Sequence, residues 1–289
     1  MAERPVSDAR AHRTRALRPP RGIAPTDRVR APIRSTAFAV FVLATISVFS
    51  FPTLGGAGAP EPSVARAAVL TPDGTDGYAF DAEGDSVTVS TNAANTSSNL
   101  RTVFWASDAV AQRDATTCST WSAESSDHLQ QGVALRISSR PGGGWRAITV
   151  TKNVFPYGSW VLNVHVWDTG RAPMTPLVSA DLGSVLSIPG NPPQPKPLPW
   201  RVCARTAGRT LSFKAWAVAE PEPEWGDRRY GRSVRLPANA PGSGYPGWYA
   251  GHLSPGMTAV YSGLRTDPVA PSAVAALPTP TNPSGVLAR

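Results

Sequence analysis

The sequence predicts an all-β protein, an antiparallel two-sheet sandwich, preceded by an apolar N-terminal helix. Three observations predict it. Short runs alternate apolar and polar residues with a period of two. Gly, Pro, Asn and Asp recur between these runs as turn signals. Only one stretch, uncharged and near the N-terminus, is continuous enough in apolar residues to form a helix without a polar face.

That stretch sets the domain organisation. Residues 1–34 hold nine arginines against Glu3, Asp8 and Asp27, which is +6 of the formal net charge of +8. Residues 35–59 carry no charge, and their apolar centre from Ala37 to Phe51 has the length of a secretory h-region. A basic flank before an apolar run keeps the arginines cytoplasmic and sends the chain beyond the run across the membrane. The chain therefore divides into a basic disordered cytoplasmic tail (1–34), a signal or transmembrane segment (35–59), a linker (60–75), one folded domain (76–265) and a disordered Pro/Ala/Ser/Thr-rich tail (266–289). Of two small-x-small patterns, Ala65-Arg66-Ala67 is the better cleavage site because Pro60 follows Ala57-Gly58-Ala59, and an uncleaved anchor is the alternative. A secreted or membrane-anchored protein with an extracytoplasmic domain is expected, touching the membrane through residues 35–59 if these are retained. No cysteine lies close behind the apolar run, which excludes a lipoprotein, and no Arg-Arg pair precedes it, which argues against the twin-arginine route. Beyond residue 34 the charges nearly balance, so the domain lacks the cationic field that nucleic acid requires.

Within the domain, strand patterns fall at 77–81, 86–90, 100–106, 117–123 and 130–138. Pro141-Gly142-Gly143-Gly144 reads as the tight turn of a hairpin joining 130–138 to 145–152. A strand over 159–168 comes next, then weaker signals over 176–188 and a proline-rich connection over 189–199. A second hairpin turns at Ala207-Gly208, with Leu211, Phe213 and Ala215 on one face and Ser212, Lys214 and Trp216 on the other. Strands over 247–252 and 257–264 complete the set, and no internal repeat is present.

The fixed order Trp200-Arg201-Val202, Gly208, Leu211-Ser212-Phe213-Lys214-Ala215-Trp216, Glu222-Pro223-Glu224-Trp225 and Gly247-Trp248-Tyr249-Ala250-Gly251-His252 resembles the C-terminal part of concanavalin-like, or laminin-G-like, jelly rolls of secreted actinobacterial-type proteins. The resemblance extends over 76–265 and implies a lectin-type β-sandwich. In such domains the Glu-Pro-Glu-Trp piece is structural, with Trp225 covering the sandwich edge.

The segment 159–168 (SWVLNVHVWD) carries the candidate site. Alternation sends Trp160, Leu162, Val164 and Val166 to the core and Asn163, His165 and Trp167 to the opposite face. An amide, an imidazole and an indole together suit sugar hydroxyls and the apolar face of a pyranose. With Arg136 and Trp216 they are expected to line a groove for a glycan or cell-envelope polysaccharide; half-exposed side chains without a ligand are the bland alternative. The leading expectation is a non-catalytic carbohydrate- or envelope-binding module, followed by a structural or protein-binding surface domain.

A glycosidase needs two carboxylates on one strand face. The only acids between Glu124 and Glu220 are Asp127, Asp168 and Asp181, and the glucanase pattern is missing; Glu220, Glu222 and Glu224, separated by prolines, read as solvated. A polysaccharide lyase would draw on His165, Asn163, Arg136 and Tyr157. No cofactor is expected. Structural calcium is the one candidate, at Asp73-Gly74-Thr75-Asp76-Gly77 or Asp81-Ala82-Glu83-Gly84-Asp85, where Asp-Gly pairs equally mark turns. Cys118 and Cys203, in an oxidising compartment, are expected to form one disulfide, with two buried thiols as the alternative.

Overall fold

The computed structural model describes residues 64–72, 77–91, 99–125, 129–155, 159–171 and 174–269. Segments 1–34 and 35–59, the tail beyond 269, Asp127, Tyr157 and the calcium-like Asp73-Gly74-Thr75-Asp76 lie outside the described residues. Among the described residues no helix is long and apolar enough to cross a membrane.

The chain runs through β1 (Val64–Thr71), β2 (Tyr78–Glu83), β3 (Ser86–Thr91), β4 (Arg101–Ala106), β5 (Ala115–Glu124), β6 (Gln130–Ser139), β7 (Trp145–Phe155), β8 (Ser159–Asp168) and β9 (Met174–Asp181). One helical turn, α1 (Gly183–Leu186), and a ribbon of β10 (Ser187–Ile188) and β11 (Gln194–Pro195) lead into β12 (Trp200–Ala207), β13 (Thr210–Ala217), β14 (Gly231–Arg235), β15 (Tyr245–Gly251) and β16 (Thr258–Pro268). Two seven-stranded antiparallel sheets result. The first has the order β1-β4-β15-β6-β7-β8-β9, the second β14-β13-β12-β5-β16-β3-β2. The protein is an all-β antiparallel sandwich, as the period-two pattern predicts.

The core lies between the sheets because alternate side chains of both are apolar. From the first sheet come Phe104, Val133, Leu135, Val150, Leu162, Val164 and Trp248; from the second, Trp121, Trp200, Val202, Leu211, Phe213 and Tyr261. Phe104 meets Tyr261 edge to face at 5.4 Å, and Trp121 lies 6.5 Å from Trp200. Such aromatic pairs add about 0.5–1.5 kcal/mol beyond their area. Buried polar groups tie one sheet to the other. The Trp248 indole N–H donates to the Cys118 carbonyl (3.0 Å), the Thr117 hydroxyl to the Gly247 carbonyl (3.0 Å) and the Tyr261 phenol to the Tyr249 carbonyl (2.8 Å).

Both expected hairpins form. β12 and β13 pair from Trp200 opposite Ala217 to Ala207 opposite Thr210, and Gly208 takes the positive φ (+57°) that the two-residue turn demands. β6 and β7 are joined through the Pro141–Gly144 turn, closed by the Arg140 N–H on the Gly144 carbonyl. Cys118 and Cys203 are bonded; they sit directly opposite on neighbouring strands β5 and β12, with Cα atoms 4.1 Å apart.

Three expectations are corrected. Part of the 60–75 linker is β1, paired along β4 from Val64 opposite Ala106 to Thr71 opposite Arg101, so the sandwich spans 64–268 instead of 76–265. Its alanines have weak strand preference, and pairing with β4 overrides it. β14 lies outside the expected strands; its pattern is short, with Val234 its one large buried apolar side chain. The 176–188 run divides into β9, α1 and β10.

Candidate functional site

The outer face of the first sheet is set by strand parity. On it stand Asn163, His165 and Trp167 of β8, Thr149 and Thr151 of β7, Gly132 and Ala134 of β6, Tyr249 and Gly251 of β15, and Arg101, Val103 and Trp105 of β4. The centre of the face is built from small residues. A Cβ on Gly132 would come within 2.7 Å of the Val150 carbonyl oxygen and 3.2 Å of the Tyr249 Cβ. The missing side chains let aromatic rings lie on the sheet and let the sheet bend.

It bends far. Flat strands are about 4.8 Å apart, yet Cα atoms of β1 come within 8 Å of those of β7 although three strands separate them in the sheet. Ala68 and Leu70 of β1 thereby join Val103, Trp105, Ala134, Ala147, Trp167 and Tyr249 in a second apolar cluster. The face expected to line a groove is thus closed over its middle by β1.

This changes the standing of the expected groove residues. Trp167 is on the predicted face but only 1% exposed; its indole N–H donates to the Thr149 hydroxyl (2.9 Å), and its ring stacks on Tyr249 at 6.4 Å. It supports the site from beneath and offers no ring face to a sugar. Arg136 is elsewhere. It occupies the bulge of β6 with φ +53°, a conformation costly for a side-chain-bearing residue. The strain is offset by donation to the carbonyls of Arg113 (2.7 Å), Pro241 (3.0 Å) and Gly208 (2.6 Å) and to Asp114 (3.3 Å). Trp216 lies on the outer face of the second sheet, packed on the disulfide with Trp225 and Tyr230. The five expected groove residues therefore do not converge: Asn163, His165 and Trp167 share a face, and Arg136 and Trp216 belong to other parts of the fold.

The expected corner is also revised. Trp225 packs against the disulfide on the outer face of the second sheet, with Arg205 4.2 Å and Lys214 4.7 Å from its ring, and does not cover the edge. Glu222 and Glu220 are paired, with Lys214 (2.6 Å) and Lys196 respectively. Asp168 is held between Arg140 and Arg146. Asp81 and Glu83 belong to β2 and Gly84-Asp85 form the turn of its hairpin with β3; among the described residues no three His, Cys, Asp or Glu side chains gather as a metal-binding group. The lyase set is not assembled, since Arg136 is separate.

What stays accessible is the polar end of the bent face. Asn163, half-buried and directly opposite Thr151, accepts a hydrogen bond from the Ser179 hydroxyl (2.7 Å), which leaves its amide N–H₂ without a partner among the described residues. The Tyr249 phenol donates to Gln130 (3.2 Å), whose amide donates to Asn153 (3.3 Å). The Arg101 guanidinium stands 6.0 Å from the Trp167 ring, and His165 meets the same ring edge-on at 5.9 Å. Two buried polar atoms here, His165 Nδ1 and the Thr151 hydroxyl, have no partner among the described residues. The period of two that places Asn163 and His165 also places Arg101 with Trp105 and Tyr249 with Gly251, so the sequence holds a signal for these neighbours beyond the five expected residues.

Burial first, and the Arg101 cation second, push His165 down to about 4, so the imidazole is neutral at physiological pH and can both donate and accept. Because the folded state protonates less readily than the unfolded one, this group favours folding above its unfolded value near 6.5. Its contribution declines as the pH falls from there towards 4. In His165→Gln, the fall in denaturant midpoint between pH 7 and pH 4 should be smaller than in the parent; equal falls in both would place the titration elsewhere.

No family model matches the chain, and no curated protein matches it. Solved structures similar in fold include carbohydrate-binding module CBM66 from Bacillus subtilis, at 10% identity and a TM-score of 0.43, covering 71% of this chain and 96% of that one. The luminal domain of VIP36 bound to calcium and Man3GlcNAc is similar at 11% identity and a TM-score of 0.40, covering 68% and 84%. A Bacillus subtilis protein of unknown function with a galectin-like fold is similar at 11% identity and a TM-score of 0.43, covering 70% and 88%. Likenesses at this level bring no ligand and no residue role to this chain.

Proposed function

We propose that this protein is an exported, non-catalytic carbohydrate-binding sandwich of the cell envelope, and that it meets its glycan at the polar end of the first sheet. The observation that supports this most is the Asn163 amide N–H₂, left without a partner among the described residues, on the same half-buried face as the His165 imidazole. A neutral imidazole and an amide on one face match vicinal sugar hydroxyls, each of which donates and accepts. Arg101 adds a charged donor at the rim. The rigid floor of Trp167 and Tyr249 fixes their positions and leaves little to reorganise on binding.

The arginine-rich N-terminal segment and the apolar run after it support export. In this reading the processed chain keeps β1. Scission after Ala67 would remove half of the strand, together with its pairing to Ala106, Trp105 and Phe104, so cleavage falls before Val64 or the segment stays as an anchor.

The test is titration of neutral cell-wall oligosaccharides against the parent, Asn163→Ala and His165→Ala. Loss of one or two hydrogen bonds to a ligand is expected to weaken binding about 5- to 20-fold in each variant. Affinity equal to the parent in both would remove this face from consideration.

A further inference from the structure

A second site, unrelated to the polar end of the first sheet, is built at one end of the sandwich. There the Gly208-Arg209 turn between β12 and β13 meets the loop that carries the chain from β14 to β15. We propose that this end binds the carboxylate of an acidic sugar, a uronate, between the side chains of Arg113 and Arg209.

The cavity at this place measures about 330 Å³, room for a single sugar ring. Its wall contains three arginines, Arg113, Arg136 and Arg209, and no carboxylate. The three have different roles. Arg136 is the fixed floor: it is 4% exposed, its donors go to three backbone carbonyls and to Asp114, and Asp114 in turn accepts the Gly208 N–H at 2.8 Å. Asp114 offsets one of the three positive charges and the other two remain.

Those two belong to the outward arginines. Among the described residues the Arg113 guanidinium makes no hydrogen bond or ion pair. Arg209 gives one hydrogen bond, to the Leu236 carbonyl at 3.1 Å, and has no carboxylate partner among them. Some other arginines of the fold do pair with acids: Arg229 with Asp227, Arg265 with Asp267 and Arg140 with Asp168. Two planar forks with free donors, placed around a cavity without an acid, suit an anion with two coplanar oxygens. A carboxylate is that shape.

The rest of the wall argues for a carboxylate carried on a ring instead of a free ion. Leu236, Pro237, Ala238 and Ala240 supply an apolar side against which the C–H face of a pyranose can pack. The loop that presents them is secured by arginines from below. Its carbonyls at Leu236, Asn239 and Pro241 accept from Arg209, Arg146 and Arg136 respectively, so the wall is held open without a ligand.

The experiment is calorimetric titration of the full chain with three probes, a trigalacturonate, a neutral oligosaccharide of the same length and inorganic phosphate. The parent is compared with the Arg113→Gln/Arg209→Gln double variant and with His165→Ala. Saturable binding of the uronate is expected, reduced at least tenfold in the double variant and weakened by added salt. It should be unchanged in His165→Ala, which separates this site from the polar end. Both substituted arginines are exposed and only the Arg209 hydrogen bond to the Leu236 carbonyl is lost with them, so the thermal midpoint of the double variant should fall only slightly. Phosphate binding without uronate binding would overturn the sugar and leave a plain anion site. Equal uronate affinity in the double variant, or a neutral oligosaccharide bound as tightly, would overturn the proposal.

Discussion

Replacement of Trp248 by alanine is expected to lower the unfolding free energy by about 3–5 kcal/mol, the range for a buried large-to-alanine change in a packed core. Trp248 is 1% exposed, points inward from β15 in the middle of the first sheet and packs 5.7 Å from Phe104. Its indole N–H also reaches across to the Cys118 carbonyl of the second sheet at 3.0 Å. The alanine variant loses the packed volume and leaves a cavity at the centre of the sandwich. The phenylalanine variant keeps most of the volume and loses the inter-sheet hydrogen bond, so its cost should be about 1–2 kcal/mol. Guanidinium unfolding of the three proteins separates the two contributions. Alanine and phenylalanine variants of equal stability would mean that the hydrogen bond, not the packing, dominates.

Removal of the disulfide should cost about 4 kcal/mol, the chain-entropy value for so long a loop. Cys118 and Cys203 are 85 residues apart in sequence, and their bond joins the two central strands of the second sheet. Those strands are already in register through the backbone ladder from Trp200 opposite Trp121 to Arg205 opposite Thr116. The bond therefore acts on the unfolded chain, and reduction should lower the unfolding midpoint while leaving the far-ultraviolet strand spectrum in place. An unchanged midpoint after confirmed reduction would contradict this.

The parts of this fold that are legible in the sequence are those where local pattern and tertiary environment agree. β8 alternates cleanly, and Trp160, Leu162, Val164 and Val166 enter the core as the period of two requires. Gly208 and the Pro141–Gly144 run mark turns by backbone chemistry alone. β1 is not legible because VARAAVLT is rich in alanine, and only its pairing with β4 makes it a strand. The site is harder for a related reason. Alternation gives the side of a sheet on which a residue stands; it says nothing of whether that side is open. The bending of the first sheet, permitted by glycines at 132, 247 and 251, brings β1 over the face and buries Trp167, an event among residues far apart in the chain. Arg136 escapes the pattern because a bulge breaks alternation at that residue. Trp216 has the right parity for an outer face, but parity does not tell which sheet β13 joins, and it joins the second.

The proposed glycan site is tested most directly by nuclear magnetic resonance during titration with a neutral cell-wall oligosaccharide. The His165 ring and the Asn163 side-chain amide should shift progressively, while the indole signals of Trp216 and Trp225 on the far sheet stay fixed. Shifts confined to the Trp216 and Trp225 indoles, with His165 and Asn163 unmoved, would contradict the account.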